Sequence, residues 1–105
     1  MEAIEIEAIK AQLTPTLRGL GVDRAILFGS FSRRTGSRKS DVDLLLVVET
    51  AERFFDRYDR FEEIYAKLKG RSVDMLIYTS SELKRIAHRP FIKRILAEGQ
   101  IIYEH

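Results

Sequence analysis

The sequence contains no cysteine, which excludes a disulfide framework and any thiolate metal site and fits a reducing compartment. It has no apolar run approaching the roughly 20 residues that a membrane-spanning helix needs. Its opening residues include Glu2, Glu5 and Glu7, the wrong sign for the basic start of a secretory signal. A cytoplasmic protein with no membrane partner is therefore expected. Net charge is also scarce. The formal value of +2 is too small to argue for nucleic acid as a partner. Histidine occurs only as His88 and His105, and neither is assigned a role. No repeats, linkers or low-complexity segments interrupt the chain.

What is present is ordinary globular material, 45% hydrophobic and 32% charged over 105 residues. That is one domain's worth, so residues 1–105 are expected to form a single domain. A chain of this length buries roughly two-thirds of its unfolded surface. This supports one core but no large enclosed site, and an enzyme so small is expected to depend on a partner chain to complete its pocket.

Periodicity orders the elements. Ile9, Leu13, Leu17 and Leu20 form an apolar stripe that predicts a helix over 2–18, with a kink or break at Pro15. Residues 25–28 and 42–48 read as buried strands, the second apolar except at Asp43 and suited to cover on both faces. Between them, residues 31–40 read as a short helix followed by a turn-rich loop. Thr50 is placed to cap a long helix whose stripe is Phe54, Tyr58, Phe61, Tyr65 and Leu68, mostly core. Residues 72–78 form a third strand. Thr79-Ser-Ser-Glu82 has the form of a capping box. Pro90 starts a further helix with Phe91, Ile95 and Leu96 inward, Gly99 ends it, and Ile101-Ile-Tyr103 makes an edge strand. The fold class is α/β (α+β), a mixed sheet of about four strands with helices packed against it.

The acids carry the chemistry. Asp41 and Asp43 are two apart at the start of a strand, so both carboxylates share one face. Adjacent carboxylates repel unless a cation sits between them, and magnesium suits a few carboxylates plus phosphate oxygens. Asp74 stands alone in an apolar strand, where a buried carboxylate costs several kcal/mol unless paired or metal-bound. Three acids converge if its strand neighbours that of Asp43, and three acids can hold two magnesium ions for an in-line phosphoryl displacement. On the phosphate side, Gly29-Ser30 joins a strand to a helix start, a favourable place for an anion. Arg33 lies within reach, in a cationic stretch with Arg34, Arg38 and Lys39.

The run Phe28-Gly-Ser-Phe-Ser-Arg-Arg, with Lys39-Ser-Asp-Val-Asp-Leu44 after it, resembles the signature of the DNA polymerase β-like nucleotidyltransferases. It is most similar to the minimal nucleotidyltransferase (MNT) antitoxins of prokaryotic MNT–HEPN pairs. The resemblance implies a nucleotidyltransferase fold. Gly29, Ser30, Arg33 and Ser40 would bind the nucleotide. Asp41, Asp43 and Asp74 would be the catalytic, magnesium-binding carboxylates, with two ions per site, Asp74 completing the metal site or acting as base. Ser32 stands where alanine is common and Arg34 where glycine is frequent. The implied reaction moves AMP from ATP to a hydroxyl, in that setting a tyrosine of a HEPN RNase toxin. Two other readings remain: an antitoxin that neutralises its partner by binding alone, and a transferase acting on a small molecule or RNA.

Overall fold

The computed structural model describes residues 3–29 and 41–105, with side chains described from residue 5 in the first stretch and from residue 42 in the second. Ser30, Arg33 and Ser40 lie outside the described residues, as do the helix and loop expected over 31–40. Helix α1 spans Ala3–Gly19, strand β1 Val22–Phe28 and strand β2 Asp41–Val48. A 3-10 turn at Phe54–Asp56 leads into α2, Arg57–Arg60, and α3, Glu62–Lys67. Strand β3, Ser72–Tyr78, is followed by α4, Ser80–Ile86, α5, Pro90–Glu98, and β4, Gln100–Glu104.

The four strands make one sheet in the order β3-β2-β1-β4. β1 pairs antiparallel with β2 and β4, while β2 and β3 run parallel. Strand alternation then sorts two cores. On the first face Val42, Leu44, Leu46, Met75 and Ile77 meet Ile6, Ile9, Leu13 and Leu17 of α1, and Phe61, Ile64 and Leu68 from the α2–α3 region. On the second face Ile26, Phe28, Leu45 and Val47 meet Leu83 of α4 and Ile92 and Ile95 of α5. β2 is thus covered on both sides, as its apolar run requires.

Five expectations need correction. α1 continues through Pro15 as one helix of 17 residues. Its buried stripe of Ile9, Leu13 and Leu17 outweighs the roughly 3 kcal/mol cost of an interior proline. The long helix after Thr50 is instead the 3-10 turn, α2 and α3, interrupted at Phe61, whose ψ of 13° is not helical. Thr50 caps a turn rather than a helix, its hydroxyl accepting from the Glu52 amide at 3.1 Å. In the stripe, Phe61 and Leu68 are core while Tyr65 is exposed. On α5, Ile92 and Ile95 point inward while Phe91 and Leu96 are exposed. In this nine-residue helix only the Ile92–Ile95 spacing meets β1. The capping box at Thr79–Glu82 and Pro90 in the first turn of α5 stand as expected.

Arg57 joins these layers. Its guanidinium is 3% exposed and meets Glu82 at 2.7 and 2.9 Å. It also donates to the carbonyls of Ile77 and Glu52. Glu82 accepts from the Thr79 amide as well, so one carboxylate ties the end of β3 to the starts of α2 and α4. Arg57, and then the Thr79 amide, hold that carboxyl down from its ordinary 4.5 to about 2.

Candidate active site

Parallel pairing of β2 with β3 sets Asp43 opposite Asp74, and Asp41 opposite Ser72. Alternation puts Asp43 on the second face with Leu45 and Val47, and Asp74 on the same face with Leu76 and Tyr78. Two carboxylates from neighbouring strands therefore meet at one edge of the sheet. Asp41 lies in β2, but its side chain is outside the described residues. Among the residues whose side chains are described, no cluster of three metal-ligating groups forms. The expectation that Asp74 is a buried anomaly is wrong in one respect: it is exposed. β3 is an edge strand, and the covering helices begin beyond its other end, so this carboxylate reaches solvent without a burial penalty.

The end of β1 completes the edge. Phe28 pairs with Asp43, and Gly29 follows with φ +75°. A Cβ at Gly29 would run into the Asp43 carboxylate. Glycine is thus needed twice over, for a left-handed backbone and for space. The Gly29 turn and the two acids form a single contiguous feature. Both acids offer hard oxygen donors, the ligand type that magnesium accepts, and the exposure of Asp74 leaves room for a second reactant. Burial, and next the charge of Asp74, push the Tyr65 phenol upward, so it stays protonated at neutral pH.

A pocket of about 110 Å³ opens on the other side of Gly29, lined by Phe28, Phe91, Arg94, Ile95 and Glu98. Phe91 meets Phe28 edge to face, ring centres 5.9 Å apart. Sequence reasoning missed this pocket because it turned Phe91 inward. The signal was available in the 91, 94, 98 spacing, which puts an aromatic, a cation and an acid on one stripe of a helix.

The sheet order, its mixed pairing and acids at the adjoining ends of two parallel strands define a nucleotidyltransferase fold. Solved structures with the same fold include a toxin–antitoxin complex with AMP-PNP, TM-score 0.67 at 20% identity, covering 91% of this chain and 73% of that one. Another is the MNT antitoxin complexed with a tri-AMPylated HEPN toxin of Shewanella oneidensis, TM-score 0.63 at 16% identity over 95% of this chain and 73% of that one. A third is a Sulfolobus solfataricus protein named as a nucleotidyltransferase, TM-score 0.59 at 17% identity over 98% and 87%. In sequence, a Methanocaldococcus jannaschii protein named as a protein adenylyltransferase, MJ0435, is 32% identical over 77 residues, 73% of this chain and 82% of that protein. The polymerase beta nucleotidyltransferase family matches residues 11–105. The chain belongs to that family. No helix among the described residues is long and apolar enough to cross a membrane.

Proposed function

We propose that residues 1–105 form one metal-dependent nucleotidyltransferase domain that moves AMP from ATP to a hydroxyl, acting in the cytoplasm as the antitoxin to a HEPN RNase toxin. The acceptor is a tyrosine of that toxin. The observation that carries this reading is the Asp43–Asp74 pairing on one face beside the Gly29 turn. The match to MJ0435 favours protein as the acceptor class. The fold shared with toxin–antitoxin complexes, one of them with AMP-PNP, favours ATP and a HEPN partner.

Asp43 and Asp74, with Asp41 as the third carboxylate, would hold two magnesium ions. When bound, these ions would offset the negative charge on the attacking and leaving oxygens. By the resemblance, Gly29 would hold the triphosphate together with Ser30, Arg33 and Ser40, which lie outside the described residues. Asp74, exposed on the outer strand, faces the acceptor and takes its hydroxyl proton. The acceptor oxygen bonds to the α-phosphorus, the bond from that phosphorus to the bridging oxygen breaks, and pyrophosphate leaves.

The test supplies α-labelled ATP and magnesium to the chain with its cognate toxin. We expect label in the toxin and none with Asp41→Asn plus Asp43→Asn. Protection of cells by that double variant, with no labelling by the wild type, would instead establish neutralisation by binding alone.

A further inference from the structure

Helix α5 lies across β1 with Ile92 and Ile95 buried. The stripe formed by residues 91, 94 and 98 stands at the rim of the pocket beside Gly29. Phe91 is 58% exposed, an unusual position for a phenylalanine, and the edge contact with Phe28 fixes its ring. Arg94 and Glu98 are four apart on the same helix, yet neither is ion-paired among the described residues. The pocket therefore combines flat apolar walls with one unengaged donor group and one unengaged acceptor group.

Its place in the sheet narrows the occupant. The strand order β3-β2-β1-β4 puts Asp74 on one flank of Asp43 and the pocket on the other, so the acceptor hydroxyl does not enter here. A phosphate does not suit apolar walls, because it would lose its water without enough donors to replace it. A flat heteroaromatic ring with hydrogen-bonding edges does suit them. A carboxylate only accepts hydrogen bonds, so Glu98 suits a base edge carrying an exocyclic amino group, as adenine, guanine and cytosine do, and disfavours the carbonyls of uracil. Resting on the nucleotidyltransferase reading, we propose that the pocket between α5 and the end of β1 seats the nucleobase, with Phe91 stacking on it and Glu98 favouring an amino-bearing base over uracil.

Equilibrium binding of magnesium ATP, magnesium UTP and magnesium tripolyphosphate to the full chain tests this. Stacking on an aromatic side chain is worth about 1–3 kcal/mol. Phe91→Ala is therefore expected to weaken ATP about tenfold and leave tripolyphosphate unchanged, while Phe91→Tyr restores ATP. Glu98→Gln, which adds a donor able to meet a carbonyl, is expected to shrink the preference for ATP over UTP at least fivefold. All are surface changes, and circular dichroism checks that each variant folds. Phe91→Ala weakening ATP and tripolyphosphate equally overturns the proposal. So does wild-type ATP affinity and selectivity in both variants. A wild-type chain that binds neither ATP nor tripolyphosphate defeats the nucleotide reading itself, and this subsite with it.

Discussion

Gly29→Ala separates backbone strain from damage to the site. Gly29 has φ +75°, and a Cβ there would meet the Asp43 carboxylate. Gly21 has nearly the same backbone, φ +74°, with nothing within 4 Å of a Cβ. An alanine in the left-handed region costs about 1–2 kcal/mol, so each variant is expected to lower Tm by about 5–10 °C in a domain of this size. Gly21→Ala then goes no further and binds magnesium ATP as the wild type does. Gly29→Ala must also move the Asp43 carboxylate by roughly half an ångström to one ångström, because real Cβ atoms do not approach another atom that closely. A misplacement approaching an ångström can cost about 100-fold in reaction rate where reacting groups must be held in register, and moving a carboxylate of the proposed metal site is expected to weaken magnesium ATP as well. Thermal melts give the strain common to both variants, and isothermal titration with magnesium ATP gives the difference between them. Equal ATP binding by the two variants would refute the claim that the Gly29 turn and the Asp43 carboxylate share one site.

Asp74 is exposed, so Asp74→Asn is expected to change stability by no more than about 0.5 kcal/mol while reducing AMP transfer about 100-fold or more; single-turnover transfer at saturating ATP measures this, and an unchanged rate removes Asp74 from the chemistry. Glu82 has its pKa depressed to about 2, so its ion pair stabilises the fold above pH 4.5 and is lost as pH falls toward 2. The full shift corresponds to about 3 kcal/mol, and screening of a carboxyl that is 30% exposed brings this to about 1–2 kcal/mol. Urea denaturation of wild type and Glu82→Gln should differ by that amount at pH 7, by less than half of it at pH 3, and converge only below the folded pKa of about 2; a gap unchanged at pH 3 contradicts the assignment. The Tyr58 hydroxyl donates to the Met75 carbonyl, and Tyr58→Phe is expected to cost about 1 kcal/mol in the same measurement, with no loss of ATP binding.

The sequence by itself determined which segments form β2 and β3, because near-continuous apolar runs of strand length bounded by turn residues admit little else. It also determined the α4 cap, where Thr79 and Glu82 satisfy each other's backbone across three residues. Asp43 and the Gly29 turn were legible for the same reason, an acid and a glycine set against apolar neighbours. Contacts between residues far apart in the chain were decided only by the tertiary structure. The exposure of Asp74 depends on β3 being an edge strand, and strand order is not written in local periodicity. The burial of Arg57 depends on Glu82, 25 residues away. The outward turn of Phe91 depends on which two positions of α5 meet β1. Local pattern sets an element's type through backbone and neighbour energetics, whereas the face that each side chain shows is set by what packs against it after the chain has folded.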